Sequence, residues 1–255
     1  MLKKISLYTY FALVSVLIPV SMKAQIVKIP DANFKQTLIN LEIDTNGDGE
    51  IQVAEAKKVT RLYIDKADIS SLTGIKSFTN LTEFGFYDNH IKTLDLEGMT
   101  SLVKIYGFNS QIEGVNIKGL KNLETLYLQQ NKIRIINLTE LKKLKELKID
   151  GNMLTKIDIS NLPNLEEVEV QSNKITEFKA DKCPAIKSIN LSGTWLSNLD
   201  FTPFKNIEEI NVNDNEFLAK INIIGLRSLK SLTCVNTPIT NINMNGTVNL
   251  KDFGW

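Results

Sequence analysis

One phrase of about twenty residues recurs along most of this chain, and no fold that ignores the recurrence can hold it. From Leu81 to Asn249 eight consecutive segments align on their apolar residues, seven of 21 residues and one, starting at Ile207, of 22. Unit positions 1, 4, 6, 11, 14, 16 and usually 19 are apolar, and Val59 to Asn80 reads as one further unit at the front. A fixed period of this length marks a solenoid, in which each unit buries its apolar face only against its neighbours. With the Val59 segment as unit one, there are nine units in register.

Each unit opens with a short strand, because apolar positions 4 and 6 alternate with polar neighbours. Position 9 then carries Asn89, Asn131, Asn152, Asn173 and Asn215, with Ser110, Thr194 and Thr237 in the same slot of other units. A carboxamide offers two donors and an acceptor, so stacked asparagines can satisfy backbone groups that the coil buries as it turns inward. Serine and threonine can do part of that work.

The pattern L-x-x-L-x-L-x-x-N-x-I-x-x-L-x-L resembles the leucine-rich repeat, in particular a short bacterial class. There a second extended segment, here Ile91 to Leu96 or Leu154 to Ile159, replaces the usual helix. Unit one, VTRLYIDKADISSLTGIKSFTN, is similar to the 22-residue internalin type. The resemblance implies a mainly β solenoid over residues 59–255, and a surface or secreted bacterial protein that binds a protein or peptide.

The chain starts with Lys3 and Lys4, runs apolar from Ile5 to Val20 and reaches Ser-Met-Lys-Ala before Gln25. A basic start, a short apolar run and a small residue at the cut describe a cleavable export signal over residues 1–24. The run falls short of the ~20 residues a spanning helix needs, and no basic stop-transfer cluster follows. Export to the periplasm, the cell surface or the medium is therefore expected, with no stable membrane span. Without Lys3, Lys4 and Lys23, Lys+Arg drops from 30 to 27 against 29 acids, a formal −2. So near-neutral a chain, with no basic stripe, is not expected to bind nucleic acid.

Residues 25–58 precede the array and read as its helical cap. Asp31 is placed to cap a helix running to about Leu41, with Phe34, Leu38 and Leu41 on one face over the first unit. Then follows DTNGDGEIQVAE, Asp44 to Glu55, which resembles the calcium loop of EF-hands. The resemblance implies that Asp44, Asn46, Asp48, the Glu50 carbonyl and both Glu55 oxygens hold the ion, with Gly49 at the sharp turn. The ion's role would be structural. The competing reading is an acidic Asn/Gly turn that binds nothing.

Side chains at positions 3, 5 and 7 leave the strand on the side away from the core. Five aromatics, Tyr63, Tyr87, Tyr106, Phe108 and Tyr127, gather there on units one to four, the candidate ligand-binding surface. Gly85 leaves a gap between Tyr63 and Tyr106 for a ligand group. A protein or peptide is the first expectation, a carbohydrate stacked on the rings the second, and a spacer with no ligand the third. Positions 2 and 3 collect Glu124, Glu146, Glu166, Glu167, Glu208 and Glu209, broken by lysines, as a flank that could favour a basic partner.

No catalytic constellation is legible. The one histidine, His90, sits on a turn, and Cys183 and Cys234 occupy core columns two or more coils apart, too far for a disulfide. Leu250, Phe253 and Trp255 match positions 1, 4 and 6 of a tenth unit, with Trp255 as a lid or the end open to end-to-end pairing.

Overall fold

The computed structural model describes residues 25–255, so the export signal lies outside the described residues. Asp31 caps helix α1 (Ala32–Asn40) by accepting the Phe34 N–H at 2.9 Å, and Phe34 and Leu38 are fully buried beneath it. The same carboxylate accepts the N–H groups of Ser70 and Ser71, both at 2.9 Å, which ties the cap to unit one. Those amides outweigh the upward push of partial burial and hold Asp31 below the ordinary carboxylate range. Leu41 departs from expectation. It sits at the C-cap, outside the helix, and is 46% exposed, because the turn there leaves the face that Phe34 and Leu38 share.

Short helix α2 (Val53–Ala56) follows the acidic loop, and unit one then opens the ladder at Arg61–Tyr63. Its second half contains a 3₁₀ turn, Ile75–Ser77. Ten three-residue strands form one parallel sheet, from Arg61–Tyr63 to Asp252–Gly254, every unit contributing one. Register is fixed column against column, as Tyr106 opposite Tyr127 and Tyr127 opposite Lys148 show. The second halves carry strands as well, paired two by two: Thr93–Asp95 with Gly114–Asn116, Lys156–Asp158 with Glu177–Lys179, and Asn198–Asp200 with Lys220–Asn222. No short unit contains a helix, because 21 residues leave too few for one.

Asparagine carries the inward turn. Asn131 is buried and makes five bonds: its Nδ2 donates to the carbonyls of Gly107, Leu128 and Gln129, and its Oδ1 accepts from Ser110 and Ile112 N–H. Asn89, Asn152, Asn173 and Asn215 repeat the scheme. The residue just before this column is left-handed in every unit: Lys66, Asp88, Asn109, Gln130, Gly151, Ser172, Gly193, Asp214 and Asn236 have φ of 52 to 62°. That single inversion swings the asparagine from the sheet face into the core, at a cost of ~1–2 kcal/mol where the residue has a Cβ.

One core slot is empty by design of its neighbour. Position 6 of unit three is Gly107, and a Cβ there would meet Phe86 Cζ at 2.2 Å and Cε2 at 2.4 Å. The fully buried Phe86 ring of unit two reaches across and fills the volume. Cys183 and Cys234 are free and buried in different columns, as the spacing implied, and burial pushes both thiols up. Just after the tenth strand, the exposed Trp255 donates its indole N–H to the Ile239 carbonyl at 3.2 Å.

Candidate functional site

Two surfaces follow from this frame, the aromatic ladder and the acidic loop. On the ladder, buried core residues at position 4 alternate with part-exposed ones at 3 and 5. Tyr87 and Phe108 stack with centroids 4.5 Å apart and planes 6° from parallel, and Tyr106 meets Tyr127 edge-on at 5.4 Å and 74°. Such pairs contribute roughly 0.5–1.5 kcal/mol beyond burial and hold the rings in place. The phenols at either end are committed. Tyr63 donates to Glu83 at 2.8 Å, which, with partial burial, raises its pKa to about 12. Tyr127 donates to Glu146, and burial first and that carboxylate second push it up further.

The structure corrects the expected gap over Gly85. A Cβ there would meet Tyr63 Cδ1 at 2.4 Å, so the Tyr63 ring lies across the glycine and closes the space. Tyr63 thus packs flat on its neighbour, while the two pairs around Phe108 and Tyr127 remain the central features of the face.

Beyond Tyr127 the ladder turns polar. Lys148 sits 5.3 Å over the Tyr127 ring and forms ion pairs with Glu167 at 2.8 Å and Glu169 at 2.7 Å. Burial works against its charge, and those two carboxylates outweigh it, so the ammonium is held above its ordinary range. The acidic flank is largely self-neutralised: at position 2, Glu124 pairs with Lys145, Glu166 with Lys187 and Glu208 with Lys230. What stays negative is the ladder itself, at Glu146, Asp150, Glu167 and Glu169 against the single Lys148. Asp150 has no ion pair among the described residues, and burial pushes its carboxyl up.

A third aromatic group was not legible in columns 5 and 7. Trp195 and Phe217, 46% and 52% exposed, meet edge-on at 6.2 Å on the turn after the asparagine column, with Lys174 5.1 Å over the indole. They align only once the extra residue of the 22-residue unit is placed in that turn. His90 is likewise on this edge and exposed, facing Asp68 at 3.1 Å and Gln111 at 2.8 Å.

In the acidic loop, Gly47 and Gly49 take φ of 71° and 79°, and the chain folds back on Asp44, whose two oxygens accept the Gly47 and Gly49 N–H groups, each at 2.8 Å. Asn46 accepts the Asp48 N–H at 3.0 Å and Asp48 the Glu50 N–H at 2.9 Å, a bond that leads in holding Asp48 below its ordinary range. Glu55 is buried, its Oε1 taking the Thr45 N–H and hydroxyl and its Oε2 the Gln52 N–H. Burial pushes Glu55 up and these donors more than offset it. The Glu50 side chain turns outward to Lys35 at 2.6 Å, leaving its carbonyl as the candidate ligand.

The donor set fits a hard cation in kind and order, since it is all oxygen. The Asp44 oxygens, Asn46 Oδ1 and Glu55 Oε2 accept one N–H each and keep a lone pair. Both Asp48 oxygens and Glu55 Oε1 each accept two donors, which an ion would displace in part. Gln52 Nε2 meanwhile donates to both Asp48 oxygens, at 3.1 and 2.9 Å, a partial positive charge set against the carboxylate. Among the described residues no three His, Cys, Asp or Glu side chains are gathered as a metal cluster. No described helix is long and apolar enough to cross a membrane.

Comparison with known proteins agrees with the architecture. A leucine-rich-repeat family model matches residues 108–154. No curated protein matches the chain in sequence. Among solved structures, the functional domain of InlJ from Listeria monocytogenes, which includes a cysteine ladder, superposes with a TM-score of 0.72 at 22% identity over 91% of this chain. This chain spans 56% of that domain. Internalin C2 from L. monocytogenes gives a TM-score of 0.60 at 19% identity over 84% of this chain and 94% of its own. YopM from Yersinia enterocolitica gives 0.65 at 17% identity, covering 76% of this chain and 41% of YopM. Ladder, repeat columns and these likenesses together make this chain a leucine-rich-repeat solenoid of about nine turns that shares its fold with the Listeria internalins.

Proposed function

We propose that this chain is an exported, non-enzymatic recognition protein that holds a protein or peptide partner against the ladder face of units two to five, with a structural calcium ion in its cap. One observation carries the reading: the paired rings Tyr87–Phe108 and Tyr106–Tyr127 stand part-exposed on a rigid parallel sheet. Fixed aromatics give contact area at little entropy cost, which is why they concentrate at the energetic centres of interfaces. Solenoids present such extended faces for binding. A peptide suits the pairs better than a sugar ring, because Tyr87 and Phe108 spend a face on each other. Export is supported by the composition of residues 1–24 alone.

The test is selection of phage-displayed peptides on the wild-type protein beside a glycan array. Peptides should be recovered and the array should stay blank. For any recovered peptide, Tyr106→Ala with Tyr127→Ala should weaken binding by about 30-fold or more while the melting temperature changes little. Glycan binding in place of peptides would support the carbohydrate reading, and silence in both would leave a spacer.

For calcium, the residues that would hold the ion are Asp44, Asn46, Asp48, Glu55 and the Glu50 carbonyl. When bound, the ion would replace the Gln52 amide as the positive partner of Asp48 and fix the angle between α1 and α2. At the weak affinities of extracellular modules, about 10⁻⁴ to 10⁻³ M, 10 mM calcium should add roughly 1.4–2.7 kcal/mol to cap stability. Asp48→Ala should abolish that gain. Identical melts in calcium and in chelator would reduce the loop to a turn held by its own amides.

A further inference from the structure

The ladder column that carries the stacked Tyr87 and Phe108 continues into Gln129, Asp150 and Gln171. These three neighbours share an anomaly: Gln129 Oε1, Asp150 Oδ1 and Gln171 Oε1 are shielded from solvent and accept no hydrogen bond. They lie side by side, since the Gln130 N–H donates to the Asp150 carbonyl at 2.9 Å and the Gly151 N–H to the Gln171 carbonyl at 3.0 Å, which puts adjacent coils ~4.8 Å apart. An acceptor buried without a donor costs about 1–3 kcal/mol, and here three stand in a row with a carboxylate in the middle.

The protein's own cations do not answer them. Lys148, on the neighbouring column, is spent on Glu167 and Glu169. The three residues are only part-buried, and the terminal torsions of glutamine and aspartate are broad, so each oxygen can turn outward to a ligand.

We infer that the row Gln129, Asp150 and Gln171, beside the ring of Phe108, is the receptor for an arginine side chain of the peptide or protein partner. This rests on the reading that the ladder face binds such a partner, and it names the partner's anchoring group. A guanidinium is planar and carries five donors, so it can serve several acceptors set along a line. It also stacks on an aromatic face, whereas an ammonium is a compact point donor. The net negative charge left on this part of the ladder favours the same cation. Burial pushes the Asp150 carboxyl up, and its own backbone N–H and the nearby Lys148 only partly offset it.

The experiment uses the full chain and the phage-displayed random-peptide library as probe. Peptides recovered on wild type should be enriched in arginine, and a synthetic copy of one should bind Asp150→Asn at least tenfold more weakly, as expected for loss of a charge-assisted hydrogen bond. Glu216→Gln, the same charge change at an exposed site elsewhere, should leave affinity unchanged. Replacing the peptide arginine by lysine should also weaken binding to wild type, and that difference should shrink in Asp150→Asn. Peptides recovered without arginine enrichment, or bound equally by Asp150→Asn, would overturn the arginine receptor while leaving the recognition surface standing. Recovery of no peptide at all would overturn both.

Discussion

Asn131→Ala should lower the free energy of unfolding by about 3–5 kcal/mol, among the largest effects of any single substitution in this chain. The alanine removes five hydrogen bonds at once. It leaves the Ser110 and Ile112 N–H groups and the Gly107 carbonyl without these partners in a buried turn, while the Leu128 carbonyl keeps the Asn152 amide and the Gln129 carbonyl keeps the Asn109 N–H. Asn131→Asp tests the same geometry by charge. The carboxylate keeps the acceptor, loses both donors and faces carbonyl oxygens, so its folded pKa should rise above the unfolded value. Stability should then be partly retained in acid and lost as pH rises through that raised pKa. Urea midpoints across pH would read both variants. A cost for Asn131→Ala below about 1 kcal/mol would show that the column is decorative.

Gly107→Leu should cost about 3 kcal/mol, although it restores an aliphatic side chain to a column that carries Ile64, Leu128, Ile149, Val170, Leu191 and Val212 in other units. The reason is Phe86, whose ring already occupies the volume, 2.2 Å from where the new Cβ would sit. Phe86→Leu alone should open a cavity and destabilise as well. Joined, the two leucines should recover most of the loss, with a coupling energy of roughly 1–3 kcal/mol in a double-mutant cycle. Simple additivity of the two penalties would refute the exchange of bulk between units two and three.

These two sites also show which features the sequence makes legible and which it hides. The asparagine column was legible because the same residue recurs at the same position of successive units, and so were the core columns, the capped helix and the separation of the cysteines. The Phe86 and Gly107 exchange was not, since it violates the repeat in two units at once and only their contact explains it. Gly85 misled for the same reason: an absent side chain looked like a cavity until the rotamer of Tyr63, fixed by Glu83 of the next coil, placed a ring over it. Leu41 failed at a helix end, where a helical period stops applying. The left-handed position was hidden by its own variety, as lysine, aspartate, glutamine, serine and glycine share nothing except tolerance of a turn. In the candidate site, the aromatics were visible as a list, but their pairing into one stacked and one edge-on couple came from geometry. The unpaired oxygens beyond them depend on where Lys148 spends its charge, which no column reveals.

The alternation of Glu124, Lys145, Glu166, Lys187, Glu208 and Lys230 has a consequence for how such an array can change length. Each charge is paired with an opposite one in an adjacent coil. Loss of one coil would bring two glutamates or two lysines together, whereas loss or duplication of two would leave the order intact. On this edge units four to nine therefore keep their charge pairing only when coils are lost or gained in twos, even though the fold repeats with every one.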